Sequence, residues 1–77
     1  MRLEIISPEK VFFDGTVDSV TVPGSKGSFT VLPHHAAIIS TLRKGNVVYK
    51  IGKEENQLAI ESGIIEVRND IVSICIE

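Results

Sequence analysis

The sequence predicts an all-β protein: a small two-sheet β-sandwich of about eight to ten short, mostly antiparallel strands. Three observations lead there. Turn residues recur about every 8–12 positions, the spacing of a sandwich or barrel. Several segments alternate apolar and polar side chains at the period of a half-buried strand. No window carries a helical apolar stripe longer than about two turns. So many strands in one layer would leave an apolar face in water, whereas two packed sheets cover it.

The elements follow in chain order. Leu3-Glu4-Ile5-Ile6-Ser7 reads as a strand, closed by Pro8, which cannot donate to a ladder. Val11-Phe12-Phe13 leads to Asp14-Gly15, a hairpin-turn signal. Thr16-Val17-Asp18-Ser19-Val20-Thr21-Val22 alternates, with Val20 and Val22 on one face and Ser19 and Thr21 on the other. Pro23-Gly24 stops it. Gly27-Ser28-Phe29-Thr30-Val31-Leu32 is the next strand, ended by Pro33. Residues 36–42 form an apolar segment whose Ile38, Ile39, Ser40 and Thr41 favour a strand. Lys44-Gly45-Asn46 reads as a turn, and Val47, Tyr49 and Ile51 as one face of a strand. Gly52-Lys53-Glu54-Glu55-Asn56 is expected to be a polar hairpin loop, and Gln57-Leu58-Ala59-Ile60-Glu61 the return strand. Ser62-Gly63 marks a bulge or tight bend. Ile64-Ile65-Glu66-Val67-Arg68 runs to a turn at Asn69-Asp70, and a last strand points Val72, Ile74 and Ile76 at the core.

The 77 residues are expected to form a single domain, 1–77, with a thin core. A chain this short buries only about 60% of its unfolded surface. Cys75 is the only cysteine, so no intrachain disulfide staples the fold, which fits a reducing compartment. Eight Lys and Arg against 10 Asp and Glu give a net charge of −2, without a basic run. Aromatic residues are Phe12, Phe13, Phe29 and Tyr49 alone. A single-strand nucleic-acid binder needs a positive groove with stacking platforms, so that class is set aside. The longest apolar run, residues 36–39, is far below the roughly 20 residues of a membrane-spanning helix. An acid follows the first residues at once, and no signal region is read there.

Residues 22–37 are the most punctuated stretch, and they tempt three chemical readings. His34-His35 suggests a metal, but neighbouring residues of an extended chain point apart and zinc needs three or four ligands. Gly24-Ser25-Lys26-Gly27-Ser28 looks like a phosphate cradle, yet a P-loop requires Gly-Lys-Ser/Thr opening a helix, and a strand follows here. Cys75 sits between Ile74 and Ile76, not in the electropositive setting a reactive thiolate requires. Ser62 lacks a nucleophile-elbow pattern, and Glu54-Glu55 reads as a solvated turn. No acid, base and nucleophile converge, so no catalytic residue, metal or cofactor is expected. A lipoyl- or biotinyl-type carrier remains the alternative, but Lys26 and Lys53 lack the Met, Asp or Ala flanks of a modified lysine. What stands out is an exposed loop on a rigid sheet, where binding functions concentrate.

Val22-Pro23-Gly24-Ser25-Lys26-Gly27-Ser28-Phe29-Thr30-Val31-Leu32-Pro33-His34-His35-Ala36 resembles the V-P-G-x-x-G-x-x-x-x-L-P-x-H-A segment of the epsilon subunit of F-type ATP synthase. The resemblance spans nearly the whole chain. Leu3-Glu4-Ile5-Ile6-Ser7-Pro8-Glu9 is similar to that family's L-x-I-x-[ST]-P-[DE] start, and Gly15-Thr16-Val17-Asp18-Ser19-Val20 to its G-x-V-x-x-V strand. Leu42-Arg43-Lys44-Gly45 matches L-x-x-G, and Ser62-Gly63-Ile64-Ile65-Glu66-Val67 resembles S-G-G-x-x-E-V. Departures are His34, where the family commonly has Gly, Ala37 where Pro is frequent, and Ile64 in place of a second Gly. Lys26 and Ser28 occupy a loop that often carries acids.

The resemblance covers the family's N-terminal β-sandwich and implies a non-catalytic rotor part in the central stalk of a proton-translocating ATP synthase. It implies two partners, the gamma subunit and the c-ring, and a peripheral place on the cytoplasmic face of a bacterial inner membrane. Lys26, Gly27 and Ser28 would face the ring. Ser7, His35, Ile39 and Ser40 would lie on or near the gamma-facing side, with the segment 36–42 adding exposed apolar surface. Many members continue into a two-helix C-terminal domain that this sequence does not contain, so neither autoinhibition nor ATP binding is expected of it.

Overall fold

The computed structural model describes residues 1–77. Nine strands form it: β1 (Arg2–Ile6), β2 (Val11–Thr16), β3 (Ser19–Val22), β4 (Phe29–Val31), β5 (Ile38–Leu42), β6 (Gly45–Ile51), β7 (Glu54–Ile60), β8 (Gly63–Arg68) and β9 (Ile71–Ile76). They make a five-stranded sheet in the order β2-β1-β9-β8-β5 and a four-stranded sheet in the order β4-β3-β6-β7. Every pairing is antiparallel except β1 with β9. The expected two-sheet, mostly antiparallel sandwich is therefore what the chain adopts.

Alternation drives the assembly. In β8 every second residue is buried, beginning with Gly63 and continuing through Ile65 and Val67. In β9 the buried set is Val72, Ile74 and Ile76, as the sequence implied. In β3 it is Val20 and Val22. With Leu3, Ile5, Val17, Val31, Leu42, Val47 and Ile60 these residues form one core of apolar side chains, and no polar or charged residue is buried among them. A core with no polar group to satisfy has no orientation-dependent bond to hold it, so it is stabilised by apolar burial and shape.

Three expectations are corrected. Asp14-Gly15 is not a turn: β2 runs straight through it, Gly15 opposite Leu3 and Asp14 opposite Glu4. Sheet pairing overrides the local turn signal here, and the Arg2 guanidinium, 2.8 Å from the Asp14 carboxylate, adds an ion pair across the two strands. The break falls instead at Val17-Asp18, where the chain crosses between sheets. Val17 donates to the Met1 carbonyl at 2.8 Å and Asp18 to the Lys50 carbonyl at 2.8 Å, so the crossing ties both sheets together. Second, Gly45 and Asn46 belong to β6, paired with Ile60 and Ala59, and the connection is the shorter Arg43-Lys44. Third, the polar loop at 52–56 shrinks to Gly52-Lys53. Ile51 pairs with Glu54, and Glu54, Glu55 and Asn56 are strand residues whose polarity suits an edge strand rather than a loop. The strand expected over 27–32 is also trimmed to Phe29–Val31.

Two turns fall as expected. Asn69 (φ 52°) and Asp70 (φ 61°) form the two-residue connection between Arg68 and Ile71, which pair. Left-handed geometry at both central residues is the type I′ pattern that suits the twist of a hairpin. Ser62-Gly63 is the tight bend at which the chain passes from the four-stranded to the five-stranded sheet. A Cβ at Gly63 would lie 2.7 Å from the Cys75 carbonyl oxygen, so only glycine lets β8 approach β9 there. Gly63→Ala should destabilise the fold by about 1–3 kcal/mol through this overpacking, and Ile74→Ala by about 2–5 kcal/mol through the cavity it leaves. Urea titrations showing either variant at wild-type stability would refute the corresponding contact.

Candidate functional site

The turns divide into two ends. At one end lie residues 7–10, the 24–28 loop, Arg43-Lys44, Glu61-Ser62 and Glu77; at the other lie Met1, residues 32–37, Gly52-Lys53 and Asn69-Asp70. Lys26, Gly27 and Ser28 are exposed at the first end. Their loop is braced on β5. Ser25 donates its N–H to the Thr41 carbonyl at 3.0 Å, and the hydroxyls of Ser25 and Thr41 are 2.8 Å apart. Gly27 closes the turn by donating to the Gly24 carbonyl at 2.9 Å, with φ 131°, a conformation that favours glycine. The P-loop resemblance fails in structure as it does in sequence, because the loop opens strand β4.

The structure brings some of the remaining candidates together and separates others. Lys26, Gly27, Ile39 and Ser40 line one open cleft of about 450 Å³, together with Phe29. Ile39 and Ser40 are neighbours in a strand, so their side chains take opposite faces. Ile39 opposes Glu66 on the outer face and is 71% exposed; Ser40 opposes the buried Ile65. Ser7 lies across the five-stranded sheet from them, at the end of β1. Its hydroxyl accepts from the N–H groups of Glu9 and Lys10, both at 3.3 Å, which shapes the turn around Pro8. His35 is at the opposite end, half-buried, with Nδ1 2.7 Å from the Ala36 carbonyl oxygen.

What joins Ser7 to Ile39 was not foreseen. Ile6 pairs with Cys75, Cys75 with Ile64, and Ile64 with Thr41, so these side chains form one row across the outer face, with Val11 beside Ile6. Ile39 lies one diagonal step from Ile64, and the two share a shallow cleft with Cys75. Around Ile6, Ile64, Cys75 and Ile76 the surface dips into an apolar concavity of about 660 Å³, with Ser7 and Pro8 on its rim. The signal was present in three isoleucine doublets: Ile5-Ile6, Ile38-Ile39 and Ile64-Ile65. One member of each must face away from the core. Ile6, Ile39 and Ile64 do, at 38%, 71% and 51% exposure.

The histidines do not make a metal centre. No group of three or more His, Cys, Asp or Glu residues is placed to hold an ion. His34 takes φ 66°, the left-handed region. Its N–H donates to an Asp70 carboxylate oxygen at 2.8 Å. The other oxygen is 3.6 Å from the Met1 ammonium. Asp70 thus connects the 32–37 segment, the β8–β9 turn and the start of β1. Lys53 does occupy a tight hairpin tip, but between Gly52 and Glu54.

This architecture defines a class: a small sandwich whose chemistry is spread over open surfaces and clefts. The match to known proteins is specific. The family model for the ATP synthase delta/epsilon chain β-sandwich domain matches residues 1–77, and the chain belongs to that family. It is 42% identical over 74 residues to the ATP synthase epsilon chain of Leptospira borgpetersenii serovar Hardjo-bovis, covering 96% of this chain and 58% of that protein. It is 47% identical over 68 residues to the ATP synthase epsilon chain of Sulfurovum sp., covering 87% and 53%. The chain therefore spans little more than half the length of these relatives. A chain of the Euglena gracilis mitochondrial ATP synthase (OSCP/F1/c-ring) superposes with a TM-score of 0.90 at 21% identity, covering 96% of this chain and 48% of that one. A chain of the Tetrahymena thermophila mitochondrial ATP synthase central stalk and c-ring superposes with 0.81 at 16% identity, covering 97% and 61%.

The hydrogen bond from His34, aided by the nearby Met1 ammonium and opposed by desolvation, holds the Asp70 carboxyl below its ordinary 3.8. A carboxyl whose folded value is depressed stabilises the fold fully above its unfolded value, about 3.9, and loses that contribution as pH falls through the folded value. Asp70→Asn keeps a residue that tolerates left-handed geometry and removes the charge. The variant should melt below wild type at pH 7, and the two should converge as pH is lowered below about 4. A difference that stays constant with pH would show that the charge is not the cause.

Proposed function

We propose that this chain is the sandwich portion of a rotor subunit in a bacterial proton-translocating F-type ATP synthase, a non-catalytic part that couples rotation of the c-ring to the gamma subunit. Gamma docks on the outer face of the five-stranded sheet, through the row Ile6, Cys75, Ile64 and Ile39, with Ser7 at one margin and Ser40 at the edge cleft. His35 contacts gamma from the far end of the same edge. The exposed loop Lys26, Gly27 and Ser28 meets the ring. The subunit is peripheral to the inner membrane through the complex, on its cytoplasmic side; no helix of the chain is long and apolar enough to cross a membrane.

The observation that carries this reading is the exposed isoleucine row in a protein with the family's sequence pattern from end to end. Contiguous apolar surface mostly marks a contact with a partner. Fully covering an isoleucine side chain is worth about 1.5–3 kcal/mol, and a small domain gains apparent stability when a partner binds only its folded form. The sheet supplies the stiffness that transmission of torque requires: 37 of the 47 backbone hydrogen bonds lie within the strands. The family match and the flanks of Lys53, Gly52 and Glu54, weigh against a lipoyl or biotinyl carrier.

Affinity capture on the tagged chain in source-cell lysate should recover gamma and the ring subunit. Ile39→Asp with Ile64→Asp should abolish recovery of gamma while circular dichroism stays unchanged, because both side chains face solvent in the free chain. Undiminished gamma in the double variant would remove the row from the interface.

A further inference from the structure

The registers of the five-stranded sheet set its outward side chains in three rows. The first is the apolar row of Ile6, Cys75 and Ile64. The second, two residues along each strand and so about 7 Å away, runs Asp14, Glu4, Ser73, Glu66 and Ile39. The third holds Arg2, Ile71 and Arg68. Ile39, the most exposed of the large apolar residues, therefore stands directly beside Glu66.

The charges of the second and third rows are matched on one side of the sheet and open on the other. Arg2 lies 2.8 Å from Asp14 and 3.8 Å from Glu4, so both of these acids have a cation. Glu66 and Arg68 have no ion-pair partner: the remaining pairs are Lys50 with Glu55 and the Met1 ammonium with Asp70. Glu66 is exposed. It is also the one residue shared by three shallow clefts. It lines one with Ile39, Ile64 and Cys75, a second with Ala37 and Ile38, and a third with Asn69 and Ile71. A partner that covers Ile39 and Ile64 therefore covers the Glu66 carboxylate as well. Taking an ionised carboxylate out of water without a cation outweighs the gain from covering one isoleucine.

We infer that Glu66 selects the partner of this face by accepting an arginine or lysine of gamma, set about 7 Å from the apolar ridge that covers Ile64. The inference rests on the docking of gamma on this sheet. Arginine fits the site better than lysine, because its planar fork meets a carboxylate with two parallel bonds and it is more weakly hydrated. A second copy of the chain fits less well. A copy that stacked each row on its own counterpart would set acid against acid. A copy that laid its second row on this third row would match Glu66 with Arg68, but it would carry the isoleucine row out of the contact.

The test measures binding of the full chain to gamma of the source organism by surface plasmon resonance. Glu66→Gln should raise the dissociation constant about thirtyfold or more, chiefly through faster dissociation, because it leaves the gamma cation buried and unpaired. Glu66→Lys should abolish binding, and Glu66→Asp, which keeps the charge, should recover part of the loss. Glu54→Gln makes the same charge change on the other sheet and should stay within about twofold of wild type. Circular dichroism should match wild type throughout, since Glu66 is outside the core. Combining Glu66→Gln with glutamine at each Arg and Lys of gamma in turn should find one position whose loss is not additive, and that position is the cation. Wild-type affinity in Glu66→Gln, with binding abolished in Ile39→Asp/Ile64→Asp, overturns the role of Glu66 and leaves docking on this face standing. Wild-type affinity in both overturns the docking and the inference together. A loss additive with every gamma variant, or matched by Glu54→Gln, overturns the inference. So does a free chain that sediments as a dimer only while Glu66 is present, which assigns the face to a second copy.

Discussion

A strand has two faces, and in a two-sheet sandwich only one can look into the core. The rest of this structure depends on that constraint. The core accepts Leu3, Ile5, Ile65, Val67, Val72, Ile74 and Ile76 from the five-stranded sheet and excludes every polar side chain. Whatever alternates with them is forced outward. Where the outward residue is charged, as at Glu4, Glu66 and Arg68, the surface is polar. Where it is apolar, as at Ile6, Ile39, Ile64 and Cys75, the pairing registers line the side chains up across four strands. The contact face is thus a consequence of register. A slip of one residue in β8 would send Ile64 inward and Ile65 outward, and would break the row and the core together.

The second constraint is how the loops are held. In a sandwich with a purely apolar interior, polar bonds at the rims define where each connection sits. Asp70 does this at one end, gathering the His34 N–H and the Met1 ammonium onto a single carboxylate. Ser25, Thr41 and Pro23 do it at the other, where they fix the 24–28 loop against β5. His34 illustrates the cost of a local departure. It adopts a conformation that an L-residue holds at about 1–2 kcal/mol, with its N–H bonded to the Asp70 carboxylate. A glycine there carries no such cost.

Nearly all of the architecture was legible in the sequence. Period-two alternation and the Pro and Gly punctuation located the strands and the all-β class, and Asn69-Asp70 and Ser62-Gly63 marked real turns. The likeness of residues 3–67 to the F-type epsilon subunit named the family. Three stretches expected as turns or loops were misread for one reason. Asp14-Gly15, Gly45-Asn46 and residues 54–56 carry local loop chemistry, but their cross-strand partners keep them in the ladder.

By itself, then, the sequence determined the composition of the core, the two-sheet class and the identity of the exposed 26–28 loop, because these depend on alternation and on residues next to one another in the chain. Only the tertiary structure decided that Ile6, Cys75, Ile64 and Ile39 form one surface, that the 23–25 backbone is bonded to Thr41 and Arg43, and that His34 and His35 lie at the opposite end from both Lys26 and Cys75. Those facts depend on which strands are neighbours and in which register. Pairing energies between segments far apart in the chain set that order, and no local pattern encodes it.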